Sequence, residues 1–256
     1  MTARRIARIA HPGGIHHATV ESDGYALIAD PFAKRLHHNG TVVPARDARL
    51  LAPVTPRTVV GMAHNTGPAD RQLPPQAFLK PVTTVTGPGA PIPLPSGIGR
   101  VDAEAELAVV IGRTATHLTL FNAAEHILGV TVANDVTARD LQQSDPLWFA
   151  AKGFDGWTPL GPWIAVGVDP ADLTISLQVD GIDLMAASTA DLARSVLECL
   201  VYATSVLTLH PGDVVLTGAP GGTGAITAGS TVTAAIAGVG ELRNPVCAAD
   251  FQREVA

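Results

Sequence analysis

The stretch Val101-Asp102-Ala103-Glu104-Ala105-Glu106-Leu107-Ala108-Val109-Val110-Ile111 opens on alternating acidic and small apolar residues and closes on an unbroken apolar run. Alternation with period two predicts a strand. The run Val109-Val110-Ile111 predicts one whose far end is covered on both faces. Residues two apart on a strand share a face, so Glu104 and Glu106 point the same way while Ala103, Ala105 and Leu107 pack opposite. The same pattern can line the wet face of an edge strand. A strand leading into a doubly buried run, however, takes its acids out of water, and two desolvated carboxylates on one face repel unless a cation sits between them. Asp135, which follows Val130-Thr131-Val132-Ala133-Asn134, ends a second apolar strand and can close such a site. Carboxylate ligation without His or Cys selects Mg²⁺ or Mn²⁺, with Ca²⁺ also compatible, over zinc. Asp102 lies on the same face, as a neighbour of the site or as a solvent-facing acid.

Outward from this strand, short apolar runs outnumber helical patterns and show no regular strand–helix–strand rhythm, which predicts a β-rich α+β fold. Asp180-Gly181, between Leu177-Gln178-Val179 and Ile182-Asp183-Leu184, is a hairpin signal. Two helices are expected. One covers Leu120 to Leu128, capped by Thr119 and closed by Gly129. The other covers Ala190 to Leu207, with Ser188 and Asp191 as a capping box and Leu192, Val196, Cys199, Leu200 and Ala203 at helical spacing. Residues 1–57, punctuated by Gly, His and charge and ending in Pro53-Val54-Thr55-Pro56, form a small leading β unit. Residues 58–256 form the larger domain.

The chain has 256 residues, of which 46% are hydrophobic, enough for a full core. No apolar run approaches the ~20 residues of a membrane span, and Arg4-Arg5 precede no signal-peptide core, so a cytoplasmic protein without membrane contact is expected. The net charge of -6 disfavours nucleic acid as a partner. Cys199 and Cys247 have no metal-ligand spacing and read as inert thiols. A Gly cluster after Val214-Val215-Leu216 (Thr217 to Gly224) lacks the Lys-Ser/Thr and the following helix that a phosphate loop requires. It reads as a turn, or as backbone kept bare for a ligand.

The pairs His16-His17 and His37-His38 face opposite ways on a strand and read as surface residues. His64 differs. It follows Val59-Val60 and opens the Gly/Pro-rich stretch Asn65-Thr66-Gly67-Pro68, a composition common in mobile loops over active sites. Lys152, one of three lysines, lies in the apolar and aromatic stretch Ala151-Lys152-Gly153-Phe154-Asp155, where it needs a partner if buried. Beyond Asp135, Thr137 and Asp140 fit a capping box that brings Arg139 and Gln142 close to Asp135.

Six segments together resemble the fumarylacetoacetate hydrolase family: Phe78 to Pro81, Asp102 to Leu107, Asn134 to Gln142 (NDVTARDLQ), Ala151 to Trp163 (AKGFDGWTPLGPW), Leu209 to Pro220 (LHPGDVVLTGAP) and Gly238 to Val246 (GVGELRNPV). They occur in the family's order from about residue 58 onward. The resemblance implies a mixed β-sandwich roll behind a small N-terminal domain, usually as a homodimer, with Mg²⁺ or Mn²⁺ on Glu104, Glu106 and Asp135. It also implies that Lys152 sits beside the metal and polarises the substrate, while Gln142, Lys80 and the Thr217-Gly218 backbone hold its carboxylate or oxo group. The implied substrate is a small anionic 2-oxo or β-diketo acid such as an acylpyruvate, chelated through its 2-oxo-carboxylate. The metal would stabilise the enolate formed when the C–C bond breaks.

Two positions depart from the family pattern. The usual lid histidine is replaced by Gly67, while the acid three residues on survives as Asp70; Ala219 replaces a threonine. His64 with Asp70 is therefore the expected base pair. The leading expectation is a C–C hydrolase of the acylpyruvate type. A decarboxylase, isomerase, tautomerase or hydratase using the same site is the alternative, and a non-catalytic metal-binding homologue is a third reading.

Overall fold

The computed structural model describes residues 4–252. The strand Ala105–Ile111 lies near the middle of a twelve-stranded mixed sheet, between Ile127–Asn134 and Val214–Leu216. It is buried along its whole length. Its side chains alternate between two cores. Leu107, Val109 and Ile111 face Ile175, Leu177, Val232, Ala234, Ile236 and Leu242 of a five-stranded sheet. Ala108 and Val110 pack on the other side with Leu160, Ile164, Val214 and Leu216. Two stacked sheets share an apolar layer and strands predominate, the β-rich class that the residue patterns predict and the sandwich roll that the family resemblance implies.

The N-terminal strands extend the same sheet. Arg4–His11 pairs antiparallel with Thr158–Val166, and Gly14–Val20, Gly24–Ile28 and His38–Pro44 follow outward. Ile6 and Ile28 share a core with Ala108 and Leu160, while Ala7, Ile9, Ala18, Leu27 and Val43 form a smaller cluster of their own. Among the described residues no helix is long and apolar enough to cross a membrane.

The helices differ from expectation in instructive ways. Asp180-Gly181 does turn the hairpin between Thr174–Val179 and Ile182–Ser188, with φ of 54° and 78°, as a type I′ turn needs. The helix expected over Leu120 to Leu128 is only a 3₁₀ turn, Ala123–His126, and Ile127–Asn134 is a strand. Gly129 is no helix stop. It lies inside that strand, where a Cβ would come within 2.4 Å of the Ala165 carbonyl oxygen, so the apolar residues around it serve cross-strand packing.

The other helix starts late, at Val196–Val206. The capping box of Ser188 and Asp191 closes a 3₁₀ turn instead, and a second box, Ser195 with Glu198, starts the helix. Thr137 and Asp140 form no capping box either. The Thr137 hydroxyl donates to Glu104 Oε2 at 2.9 Å, and Asp140 accepts the Arg100 amide at 3.2 Å. The site takes the hydroxyl that the helix would have used.

Candidate active site

Glu104 sits at the break between strands Val101–Ala103 and Ala105–Ile111, and Asp135 directly follows Ile127–Asn134. The two ends are tied together: Asn134 Oδ1 accepts the Glu104 amide at 3.0 Å, and the Asp135 amide donates to the Glu104 carbonyl at 2.9 Å. One carboxylate oxygen from each of Glu104, Glu106 and Asp135 lies within 4.8 Å of the others, and all three residues are buried. Alternation on adjacent strands thus does what the sequence pattern predicts and puts three acids on one desolvated face.

Their lysine partners are equally buried, and the third cation, Arg139, is partly so. Lys152 Nζ donates to Glu104 Oε2 at 2.6 Å and to Asp135 Oδ2 at 2.5 Å. Lys80 Nζ takes the second Asp135 oxygen and donates to the Trp157 carbonyl at 3.0 Å. Arg139 bridges Glu104 Oε1 (2.6 Å), Asp102 Oδ2 (2.9 Å) and Gln142 Oε1 (2.9 Å). Glu106 has no cationic partner and accepts the Gly218 amide at 2.7 Å. Gly218 is at φ 101°, and a Cβ there would lie 2.3 Å from the Asn65 carbonyl oxygen, so this close approach of backbone to carboxylate requires glycine.

The three acids respond differently to burial. Desolvation, reinforced by the Asp135 and Glu104 charges, pushes the Glu106 carboxyl well above the usual range. Burial alone would also raise Asp135, but the Lys152 and Lys80 ammoniums outweigh it and hold its pKa below the ordinary value. Burial works against the Lys152 ammonium too, yet Asp135, Glu104 and Glu106 together keep its pKa above that of a free lysine. Arg139 and the two ammoniums serve Glu104 and Asp135, which leaves Glu106 as the one acid of the three without a cationic partner. A hard divalent cation fits that unpartnered carboxyl and the all-oxygen donor set.

Because Glu106 keeps its proton to higher pH than a free carboxyl, a divalent ion has to displace that proton. Mn²⁺ affinity should therefore rise as the pH climbs above 4.5, the ordinary glutamate value, and level off once Glu106 is ionised. Calorimetry in buffers of different ionisation heat should record net proton release. An affinity that stays flat from about pH 5 to 8 would contradict the assignment of Glu106 as a ligand.

The acids and Lys152 line a cleft of about 250 Å³, together with His64, Thr66, Asp70, Phe78, Arg139, Gln142, Trp148 and Gly218. Of the residues singled out from sequence, His64, Asp70, Gln142, Lys152 and Gly218 thus face one space with the three acids. Lys80 and Thr217 do not. Lys80 is fully engaged beneath Asp135. The Thr217 hydroxyl donates to the Leu107 carbonyl at 3.0 Å and its own carbonyl accepts the Asn65 amide group at 2.7 Å. Lys80 thus braces Asp135, and Thr217 ties Leu107 to Asn65. A larger depression of about 680 Å³, bordered by Tyr25, Arg49 and Arg243, shares no lining residue with this cleft.

The expected His64–Asp70 pair is also altered. Asp70 accepts the Thr66 amide (2.9 Å) and hydroxyl (2.8 Å) and makes no hydrogen bond to His64. Its slight burial raises its pKa, but those two bonds and nearby His64 outweigh this and hold the carboxyl below the usual value. The loop is pinned at its base. Asn65 is fully buried, donates to the Thr217 and Arg194 carbonyls, and accepts the Arg194 amide at 2.6 Å. His64 reaches the cleft through a left-handed backbone, φ 50°, which costs on the order of 1 kcal/mol in a non-glycine residue.

Sequence reasoning missed the aromatic wall of the cleft. Trp148, also left-handed at φ 58°, stands 5.4 Å from the His64 ring and 5.5 Å, edge-on, from Phe78. The Phe78 ring centroid is 5.0 Å from Lys152 Nζ. The signals were present: Phe78 and Lys80 alternate on one strand face, and Trp148 lies four residues before Lys152. Asp102 takes the first of its two expected places, beside the site and away from solvent. It is buried and accepts from Arg100, Arg139 and Thr223, so it holds Arg139 against Glu104.

Residues 54–247 match the family described as fumarylacetoacetate (FAA) hydrolase C-terminal, and residues 4–53 match the Rv2993c-like N-terminal family. The chain belongs to the fumarylacetoacetate hydrolase family, whose members include isomerases and hydrolases. Protein Rv2993c of Mycobacterium tuberculosis is 38% identical over 263 residues, covering 94% of this chain and 97% of its own. The structure of 5-carboxymethyl-2-hydroxymuconate delta-isomerase from Mycobacterium smegmatis matches with a TM-score of 0.91 at 40% identity, over 96% of this chain and 100% of the other. The structure of maleylpyruvate hydrolase from Sphingobium sp. SYK-6 in complex with manganese(II) ion and pyruvate matches with a TM-score of 0.80 at 27% identity, again over 96% and 100%.

Proposed function

We propose that this chain is a divalent-metal-dependent hydrolase that cleaves a C–C bond in a small 2-oxo acid of the acylpyruvate type. The observation that carries the reading is the buried triad of Glu104, Glu106 and Asp135 with the Lys152 ammonium on two of its carboxylates, all facing one small cleft. The relative that binds manganese and pyruvate supports it. Mg²⁺ or Mn²⁺ held by the triad would supply Lewis acidity toward a chelating 2-oxo-carboxylate. Lys152 supplies a fixed positive charge where negative charge develops on the substrate oxygen as the C–C bond breaks. Gln142, oriented by Arg139, offers its amide N–H groups to the substrate carboxylate. His64 takes the proton of the attacking water, and ionised Asp70 favours the imidazolium that results.

A second reading has its own support. With glycine at the lid position, proton transfer without water activation suits the same site, which would make the chain an isomerase or tautomerase, in line with the 40%-identical isomerase. The two are separable. Gly67 has an extended backbone, φ −174°, and a Cβ there would meet nothing within 4 Å, so Gly67→His is tolerated. For a hydrolase, His64→Ala should lower acetylpyruvate hydrolysis roughly 10²-fold while oxaloacetate tautomerisation changes little, and Gly67→His in that background should restore part of it. Parent enzyme that tautomerises oxaloacetate and hydrolyses no acylpyruvate, with or without Gly67→His, would replace the first reading by the second.

A further inference from the structure

The loop that carries His64 is an excursion from an antiparallel pair. Strands Val59–Ala63 and Gln76–Lys80 are in register down to Ala63 and Gln76, and the residues between them, 64–75, include His64, Thr66 and Asp70 of the triad cleft. Internally the loop ties itself into one unit. Asp70 accepts the Thr66 amide and hydroxyl, while the Asp70 amide donates to the Gly67 carbonyl and the Leu73 amide to the Asp70 carbonyl, both at 3.0 Å. These bonds fix the loop's shape but not its tilt over the three acids, which has to be set from outside.

Asn65 holds the near end, on Thr217 and on the Arg194 backbone. The Arg194 guanidinium reaches both ends at once: Nη1 donates to the His64 carbonyl at 3.4 Å and Nη2 to the Leu73 carbonyl. Arg194 is 6% exposed, and among the described residues no carboxylate pairs with it; its acceptors are these two carbonyls. Its own backbone is fixed from both sides, because it lies between the capping boxes of Ser188 with Asp191 and Ser195 with Glu198. Arg71 adds an exposed anchor alongside, donating to the Ala193 carbonyl at 3.1 Å and pairing with Glu198 at 2.7 Å.

A charge buried on two carbonyls is a costly way to fill space, since apolar side chains of similar volume commonly pack as well or better. What a planar guanidinium adds is a rigid fork that fixes two acceptors relative to each other. Here those acceptors are the two ends of the unit that carries His64.

We infer that Arg194 is a positioning residue: its guanidinium spans the two ends of the loop and sets the His64 imidazole toward the triad cleft, so that it acts on the reaction through His64. This rests on the reading of His64 as the base that activates water. It accounts for a base that works from a loop containing glycine and proline without a hydrogen bond from Asp70 to hold its ring.

A double-mutant cycle on the full-length protein with Mn²⁺ tests it, using Arg194→Met, His64→Ala and the two combined. His64→Ala keeps the backbone carbonyl that Arg194 holds. With acetylpyruvate, Arg194→Met alone should lower kcat roughly 10- to 100-fold, the loss expected when a catalytic group is slightly misplaced, with KM within about twofold. In the His64→Ala background the same substitution should change kcat less than about twofold, because the group it places is gone. Arg194→Lys keeps the charge but lacks the fork, and should fall between Met and the parent. Hydrogen exchange in peptides covering 64–73 should be faster in Arg194→Met, with exchange in the strands of the triad unchanged.

The same factor lost in both backgrounds would make Arg194 a structural brace and overturn the inference, as would parent-like turnover despite faster exchange in the loop. Failure of both Arg194→Met and Arg194→Lys to fold would overturn it too, since the guanidinium would then serve the core and not His64. A parent that hydrolyses no acylpyruvate overturns the reading of His64 as a base and takes the positioning role with it, whereas a hydrolysing parent with additive losses overturns Arg194 alone.

Discussion

Asp135→Asn should destabilise the metal-free protein by about 3–5 kcal/mol, whereas Glu106→Gln, two residues along the chain from Glu104 and part of the same triad, should leave it as stable or more so. The opposite outcomes follow from different partners. Each Asp135 oxygen accepts a buried ammonium, Lys80 on one and Lys152 on the other. An amide keeps one acceptor and turns a donor toward the other cation, leaving a buried charge unpaired. Glu106 has no cation to lose. Its pKa is raised by burial and by its acidic neighbours, so ionising it works against the folded state. In the metal-free parent, that group's contribution is fully favourable below 4.5 and is lost as pH rises through its higher folded value. Glu106→Gln removes the penalty, and its advantage over the parent should widen toward neutral pH.

Thermal melts in chelator read both effects. For a domain of this size a loss of about 3–5 kcal/mol lowers the Tm by roughly 10 °C. Added Mn²⁺ should then raise the Tm of the parent by mass action and leave both variants nearly unmoved, because each has lost an anionic ligand. Asp135→Asn melting with the parent would mean that the lysines do not depend on it. A Mn²⁺ shift preserved in Glu106→Gln would remove Glu106 from the ligand set.

Much of this arrangement is legible in the chain because it follows from local periodicity. The period-two pattern of 101–111 places Glu104 and Glu106 on one face, and the apolar strand before Asp135 brings the third acid to the same end of the sheet. The hairpin at Asp180-Gly181 is readable for the same reason: backbone geometry dictates residue type within four positions. What spacing cannot show is who meets whom across the fold. Lys152 reaches Glu104 over 48 residues and Lys80 reaches Trp157 over 77. The loop carrying His64 is pinned by a bond from Asn65 to Arg194 across 129 residues. Lys80 and the Thr217-Gly218 backbone enter as substrate contacts through the family resemblance alone, and no spacing announces that Lys80 meets Asp135 or that the Thr217 hydroxyl meets the Leu107 carbonyl. The helix expected over 120–128 failed where short apolar runs are ambiguous: Ile127, Leu128 and Val130 fit either period until the neighbouring strands decide.

Lys152→Met should lower kcat by on the order of 10²-fold and, in the same variant, leave Mn²⁺ affinity unchanged or higher. The split follows from the two jobs the ammonium does. It holds Glu104 Oε2 and Asp135 Oδ2 at 2.6 and 2.5 Å, oxygens of the residues that would ligate the ion, so it both neutralises and competes for them. Methionine fills much of the same volume without the charge, releases those oxygens, and leaves three carboxylates with Lys80 as their remaining buried ammonium. Affinity for a dication then has reason to rise. The Phe78 ring 5.0 Å from Nζ accepts a thioether as readily as an ammonium, so the site should keep its shape. Catalysis has no such compensation, because the lost charge is the one placed to meet negative charge developing on the substrate oxygen, and Lys80 does not line the cleft. Calorimetric titration with Mn²⁺ beside steady-state kinetics on acetylpyruvate, or on oxaloacetate if tautomerisation proves to be the reaction, separates the terms. Wild-type turnover would reduce Lys152 to a counter-ion. Loss of metal binding together with turnover would show that the ammonium organises the triad and takes no part in the chemistry.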